Sequence, residues 1–214
     1  MIIKIPNYNP IDPNRTNRPV VSIRCPGCRQ NGTFEVLYNI NDVEGGGYIF
    51  GQRRCPKPDC NAHVFFAWWP NEYRVVVTYP AERIDFDTTD VPKEVKSCLE
   101  EAITCHAASC FKASAIMVRR TLEELCLDRS ATGSNLKERI KALGTKVVLP
   151  QELLDALDDL RLLGNDAAHI ESQEYNNVGK AEVETGIAVT KEVLKGVYQY
   201  ASLLKQLKAL KKTP

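Results

Sequence analysis

Two short cysteine clusters place the strongest constraint on how this chain can fold. The first is Cys25-Pro-Gly-Cys28 and the second is Cys55-Pro-Lys-Pro-Asp-Cys60. Both spacings are typical of structural zinc sites, in which short turns present thiolates in pairs to one tetrahedral ion at about 2.3 Å. We therefore predict that all four cysteines bind one structural Zn²⁺ ion. Replacing any one of them should unfold the small domain that they clamp.

The residues around these clusters predict a small β domain. Alternating hydrophobicity with β-branched or aromatic residues marks four candidate strands, at residues 33–38, 48–50, 63–69 and 73–79. We expect a zinc ribbon of three or four strands over residues 21–80, preceded by an extended, Asn- and Pro-rich arm at residues 1–20. A core of this size is marginal, and metal binding can add about 10 kcal/mol of apparent folding free energy.

Aromatic residues are concentrated in this predicted ribbon, with ten of them between Phe34 and Tyr79. Two interpretations remain open. The rings can fill the ribbon core, which the pattern favours. Alternatively, they can form a stacking platform for single-stranded bases, with Arg53, Arg54 and Lys57 nearby as cations.

The hydrophobic pattern changes to a helical period after an acidic linker at residues 81–91. Five helices are predicted, at about residues 92–107, 111–127, 135–143, 150–169 and 179–211. Asn135 and Glu138 are spaced as a capping box at the start of the third helix. Because the connections are short, residues 92–214 predict an up-and-down helical bundle, and the whole chain is predicted to be α+β.

Charge and hydropathy narrow the possible functions. The net charge is +1, but residues 81–190 carry −7 and the segment from Lys191 onward carries +5. This basic end is either a solvated helix face or a contact for a phosphate backbone. No apolar run is long enough to span a membrane and no signal-peptide pattern occurs, so we expect a cytoplasmic protein with reduced cysteines. Motifs of nucleotide-binding, serine-hydrolase and metalloprotease folds do not occur.

The fourth predicted helix carries a column of polar residues beside its apolar face. Arg161, Asn165 and His169 follow at four-residue intervals, which places them on one side of a continuous helix. The grouping suits phosphodiester cleavage, with His169 moving a proton, Arg161 neutralising charge at phosphorus and Asn165 orienting one of them. In the structural alternative, Arg161 pairs with a carboxylate and the other two side chains hydrogen-bond across the bundle.

Three further residues carry possible chemistry. Arg119 lies close to the core face of the second helix, one turn before Glu123, and is predicted to form an internal ion pair, with phosphate binding as the alternative. His63 and His106 are possible metal ligands, but four cysteines already complete a zinc site without either histidine.

The run from Leu160 to His169, LRLLGNDAAH, resembles the HEPN clan when it is taken together with Arg119-Arg-Thr-Leu-Glu123. The most similar branch is an HEPN-like domain with the signature LRxxGNxxxH, which is found alone, behind zinc ribbons and on restriction-enzyme subunits. The resemblance covers roughly residues 90–210. It implies a helical bundle, often dimeric, whose active members are metal-independent ribonucleases in prokaryotic defence or toxin systems. Asn165 and His169 match the polar residue and histidine of that site, Gly164 stands where the arginine is usual, and Arg161 is the candidate replacement.

Two functions therefore stay open. The first is an RNA-cleaving protein whose ribbon helps to select the target, and the second is a non-catalytic module that binds nucleic acid or protein. We also expect a homodimer through the bundle, because the small Gly164, Ala167 and Ala168 surface would let two helices approach closely.

Overall fold

The computed structural model describes residues 7, 9–12, 18–169 and 177–210. The chain is α+β and divides into two compact units, Met1–Arg83 and Ile84–Pro214. The described part of the first unit contains an antiparallel sheet, and that of the second contains five helices. The division falls inside the segment 81–91 that the sequence predicts as a linker. Much of the predicted arm at residues 1–20 lies outside the described residues.

Eight short strands form the described part of the β unit. They are β1 (Asn9–Pro10), β2 (Ser22–Arg24), β3 (Asn31–Thr33), β4 (Glu35–Val36), β5 (Val43–Gly45), β6 (Tyr48–Arg54), β7 (His63–Trp69) and β8 (Arg74–Tyr79). The main sheet has the order β1-β5-β6-β7-β8 with β4 also pairing β6, while β2 and β3 form a separate hairpin. The sheet is wider than predicted, because the short strands β1 and β5 carry no periodic sequence signal, while the strand predicted at residues 33–38 contributes to this sheet only the two residues of β4.

The inner face of the sheet builds a small core next to the cysteines. Val21, Phe34, Val64 and Phe66 are buried there together with two of the thiols. These side chains come from β7, from the residues flanking β2 and β3 and from the residue after β6, so the cysteine loops and the sheet share one core. Burial of these large apolar side chains supplies the hydrophobic part of the unit's stability.

An ion pair is buried in this face of the sheet. Both guanidinium nitrogens Nη1 and Nη2 of Arg53 lie 2.7 Å from the carboxylate oxygens of Asp42, and Nη2 also donates to the carbonyl of Pro19 at 3.1 Å. The guanidinium carbon lies 4.5 Å from the centre of the Phe66 ring. Arg53, one of the cations named in the base-stacking alternative, is therefore buried and not available to nucleic acid, since its position opposite Val64 turns it inward.

The helical unit follows the predicted pattern closely. Its helices are α1 (Lys93–Ala107), α2 (Phe111–Asp128), α3 (Leu136–Leu143), α4 (Gln151–Ala168), α5 (Lys180–Leu194) and α6 (Tyr200–Ala209), with a π turn at Lys195–Gln199 that joins the last two into one helix. α2 packs against α1, α4 and α5 and so occupies the centre of the unit. Among the described residues, no helix combines the length and the apolar character needed to cross a membrane.

The start of α3 shows how local sequence determines a helix end. The side chain of Asn135 accepts a hydrogen bond from the backbone N–H of Glu138 at 3.0 Å, as the predicted capping box requires. The Glu138 carboxylate accepts from the backbone N–H of Ser134 at 2.8 Å. A capping box would have this carboxylate accept from the backbone N–H of Asn135, so the observed donor is one residue earlier in the chain. The bond lowers the pKa of Glu138 below the ordinary glutamate value.

Candidate functional site

The four clustered cysteines meet at one point of the β unit. All four Sγ atoms lie within 4.8 Å of one another. Cys25 and Cys60 are 3.6 Å apart, and Cys28 and Cys55 are 3.8 Å apart, both measured between sulfurs. A tetrahedral site with metal–sulfur bonds of about 2.3 Å has sulfur–sulfur distances of about 3.8 Å. The four thiols therefore have the spacing of a tetrahedral metal site, and they could hold an ion.

Two hairpin ends supply these ligands. The first cysteine pair connects β2 to β3, and the second connects β6 to β7. The residue directly after each pair has a left-handed backbone, with φ of 63° at Arg29 and 50° at Asn61. Each loop thus ends on a residue with a left-handed backbone, and the two thiols of each loop lie close to those of the other loop.

Gly27 allows the loops to come this close. Its backbone N–H donates to the Cys25 sulfur at 3.3 Å. A Cβ at this position would lie 3.1 Å from the Cys60 sulfur and 3.0 Å from the Ala62 Cβ. The spacing of the cysteines predicts the ligands, but the need for glycine between them is visible only in three dimensions.

Electrostatics within the cluster also favour a bound cation. Burial raises the pKa of the Cys55 thiol to about 12. A hydrogen bond from the backbone at Gln30 is the main cause that lowers the pKa of Cys28 to about 7. Burial therefore disfavours a thiolate at Cys55, and a divalent cation bound there would supply the charge that offsets this cost.

The two histidines that were considered as metal ligands lie elsewhere. His63 Nδ1 is 2.8 Å from Gln52 Nε2 on the neighbouring strand. His106 Nε2 is 3.1 Å from a carboxylate oxygen of Glu184, and its ring packs 5.7 Å from that of Phe111. Within the described ranges, the metal-type cluster contains only the four cysteines.

The polar column of α4 reaches the end of the helix. The His169 backbone N–H still donates to the Asn165 carbonyl at 2.9 Å, but the His169 backbone is extended, with φ of −125°. Its side chain is exposed, one turn beyond Asn165 and two beyond Arg161. α4 therefore carries Arg161 and Asn165 one turn apart, and His169 follows as the exposed residue at which the helix ends. The residues that follow, 170–176, lie outside the described part of the chain.

Arg161 makes the contact that the structural alternative predicts. Its Nε donates to Asp158 at 2.6 Å and its Nη2 donates to the other carboxylate oxygen at 3.3 Å. The hydrogen bond from Arg161 is the main reason that the pKa of Asp158 lies below its ordinary value. Asp159 and Asp166 are two further acidic residues of this helix.

Gly164 is the point at which α4 touches α2. A Cβ on Gly164 would lie 2.4 Å from the Cβ of Arg119 and 3.1 Å from the carbonyl oxygen of Ala115. Arg119 crosses α4 and donates to the Arg161 carbonyl at 3.1 Å, while its Nε lies 3.5 Å from Glu123, the ion pair that the sequence predicts. α4 and α2 pack so closely here that residue 164 has no room for a side chain. Gly164 was expected to lie on the surface through which two copies of the chain pair. In the structure α2 of the same chain covers it.

Two aromatic side chains stand on the outer face of the sheet. Phe65 on β7 and Tyr79 on β8 are directly opposite in the register and are 55% and 74% exposed. Phe34 and Phe66 are each 4% exposed in the core. The aromatic residues thus divide between the core, as the sequence favours for Phe34 and Phe66, and the exposed face of the sheet. Alternation along β7 is the signal that could have separated Phe65 from Phe66.

The comparisons with known proteins identify a family for the helical unit. A family model described as "Domain of unknown function (DUF4145)" matches residues 100–213, which is more than half of the chain. No curated protein and no solved structure matches the chain.

Proposed function

The chain belongs to the family described as "Domain of unknown function (DUF4145)", and we propose that this member binds single-stranded RNA through a zinc-clamped β unit attached to an HEPN-like helical unit. The observation that carries the proposal is the pair Phe65 and Tyr79, exposed side by side on adjacent strands. Directly opposite residues in an antiparallel pair have Cβ atoms about 4.5–5.5 Å apart, so these two exposed aromatic side chains are neighbours on the outer face of the sheet.

Such a surface suits unpaired bases. Every base has a flat π face, and stacking on a protein aromatic contributes about 1–3 kcal/mol per base without requiring a particular sequence. Gln52 lies opposite Phe65 on the other side, and its side chain contacts His63. These two polar side chains flank the rings and can hydrogen-bond to base edges or to the 2′-hydroxyl group of RNA.

An anisotropy titration with a labelled oligouridine tests this proposal. Phe65→Ala and Tyr79→Ala should each weaken binding by roughly 5- to 150-fold, the equivalent of one lost stacking contact. Tyr38→Ala is the matched control, since Tyr38 belongs to the same unit and is 94% exposed but lies outside the paired strands. If the three variants bind the oligonucleotide as tightly as the unmodified protein, the sheet face is not the binding surface.

Zinc is the proposed ion of the four-cysteine cluster. The support is chemical: four thiolates in tetrahedral spacing are the donor set that structural Zn²⁺ sites use. Bound at this site, the ion would hold the two hairpins together and take no part in a reaction. Elemental analysis of the purified protein should give one zinc per chain. Cys25→Ser should lose both the metal and the fold of the β unit, whereas normal folding without zinc would contradict the structural role.

A metal-independent ribonuclease is a second candidate function, supported by the exposed His169 at the end of the α4 column and by the resemblance to the HEPN clan. In this candidate His169 exchanges a proton with the ribose 2′-oxygen or the leaving oxygen, and Asn165 orients it. Arg161 donates to the phosphate, where a well-placed donor is worth about 3–4 kcal/mol. Its existing bond to Asp158 has to be shared or broken for that purpose, which weighs toward binding without cleavage.

Cleavage assays distinguish the two candidates. His169→Ala should abolish cleavage without unfolding the bundle, and Arg161→Ala should slow it strongly. EDTA should leave the activity intact while the clamped ion remains bound. Equal cleavage by the unmodified and His169→Ala proteins would show that the activity is a contaminant. Binding without cleavage in both proteins would leave the RNA-binding module as the function.

A further inference from the structure

A cavity in the β unit lies on the side of the sheet opposite to the Phe65 and Tyr79 surface. Its volume is about 700 Å³, and it is bordered by the β5–β6 hairpin, by Tyr48, Trp68 and Tyr73, and by polar residues that include Asn9 and Arg18. Trp68 pairs with Ile49 of β6, and Phe65 pairs with Gln52 of β6. Because side chains alternate between the two faces along a strand, the odd separation of three residues places Trp68 and Phe65 on opposite faces of the sheet. Pockets for small organic ligands typically measure about 300–1,000 Å³.

Tyr73, at the border of this cavity, has an unusual backbone conformation. Its backbone has φ of 50° and ψ of 39°, in the left-handed region, which is uncommon and strained for a bulky side chain. The side chain is nevertheless 81% exposed, so core packing does not offset that strain. The Tyr73 ring meets the Trp68 ring edge to face at 5.8 Å between centroids. Strain of this kind is concentrated at ligand sites, where the fold holds a side chain in a position that local preference disfavours.

The lining defines the chemistry of a ligand. Aromatic rings from β6, from β7 and from the turn before β8 offer flat apolar surfaces, and the amide of Asn9 offers both a donor and an acceptor. The hairpin turn consists of Gly46 and Gly47, at φ of 59° and 82°, so a ligand can approach its backbone without meeting a Cβ. A flat heteroaromatic ring with a polar edge satisfies all of these features.

We infer that this cavity binds one nucleobase, stacked on the Tyr73 ring and meeting the Trp68 ring with its edge. The inference deepens the proposed function, because the base would be one nucleotide of the same RNA, but the cavity and the outer sheet face are tested by different residues. The cavity surrounds one base with rings and hydrogen-bonding groups from several separate segments, whereas on the outer face Gln52 and His63 only flank two rings. Any base preference of the protein should therefore reside in the cavity.

Tryptophan fluorescence provides a direct readout, because both tryptophans of the chain, Trp68 and Trp69, lie at this end of β7. Titration with AMP, GMP, CMP and UMP should give saturable quenching with at least one nucleotide. Tyr73→Ala should weaken that binding by roughly 5- to 150-fold, the loss expected for one stacked aromatic ring. Tyr38→Ala should bind the nucleotide unchanged.

Tyr73→Gly separates a binding role from a structural one. Glycine adopts positive φ freely, so this variant should unfold at the same or a higher temperature than the unmodified protein while losing nucleotide binding. A variant that is both less stable and weaker in binding would contradict the strain argument. Equal nucleotide affinity in the Tyr73 variants and the unmodified protein, or no quenching by any nucleotide, would overturn the inference.

The same experiments show which proposal fails. Loss of oligouridine binding in Phe65→Ala with unchanged nucleotide affinity in Tyr73→Ala overturns the cavity and leaves the RNA-binding surface. Nucleotide binding that depends on Tyr73, without oligouridine binding, supports the cavity as a mononucleotide site and refutes the proposed function.

Discussion

The contact between Gly164 and Arg119 leads to the most specific stability prediction for this chain. In Gly164→Ala, the new methyl group would lie 2.4 Å from the Cβ of Arg119. Non-bonded carbons are favourably placed at about 3.5–4.0 Å, so the shortfall exceeds about 1 Å. The Arg119 Cβ is attached directly to the backbone and cannot rotate away. Relief therefore requires α2 and α4 to move apart.

Two effects of opposite sign set the magnitude. Overpacking of this kind costs about 1–3 kcal/mol, and we take the upper part of that range because a backbone-attached atom is hit. Alanine in place of glycine recovers about 1 kcal/mol of helix propensity. The net result should be a loss of about 1–2 kcal/mol, or roughly 4–8 °C in the midpoint of a unit of this size.

Gly186→Ala is the matched control. Gly186 is also inside a helix, α5, but a Cβ there would lie 3.2 and 3.3 Å from the terminal methyl carbons of Leu163 and Leu160. These ends can rotate, so the propensity gain should largely offset the crowding and leave stability within about 1 kcal/mol of the unmodified protein. Thermal unfolding followed by far-UV circular dichroism measures both variants. If Gly164→Ala is as stable as Gly186→Ala, packing does not explain the glycine in the LRxxGNxxxH run.

Three further predictions concern other parts of the chain. Asp42→Ala should destabilise the β unit by about 3–5 kcal/mol because it leaves the buried charge of Arg53 unpaired, and combining it with Arg53→Met should recover most of that loss in urea unfolding. The pKa of Asp158 is lowered in the folded chain, so Asp158 stabilises the fold above the ordinary carboxyl value of 3.8, and this stabilisation is lost as the pH falls through the lowered pKa. Asp158→Asn should therefore make the stability of the helical unit less sensitive to acid, as measured by unfolding at a series of pH values. Homodimerisation remains a prediction, and the exposed leucines of α6 offer a surface for it. Light scattering should show a dimer, and the double variant Leu203→Glu with Leu207→Glu should be a monomer. An unmodified protein that is monomeric at high micromolar concentration would contradict the prediction.

The sequence by itself predicts the features of this protein that depend on neighbours along the chain. The spacing of Cys25 with Cys28 and of Cys55 with Cys60 identifies the thiols that converge, because a short turn can present only such pairs to one ion. Helical periodicity predicts the helices of the second unit to within a few residues, since that signal repeats over many turns. Short strands such as Asn9–Pro10 carry no such repeat, and the extent of the sheet was underestimated for that reason.

Tertiary structure decides the features that depend on partners far apart in sequence. Strand register alone determines that Arg53 turns inward to Asp42 while Phe65 turns outward beside Tyr79, because a shift of one residue would exchange the two faces. The packing of α4 on α2 determines that Gly164 has no room for a side chain and that Arg161 and Arg119 share one surface. The position of Tyr73 beside a cavity likewise depends on how the β5–β6 hairpin and β7 meet, since no local pattern describes a space that is lined by separate strands.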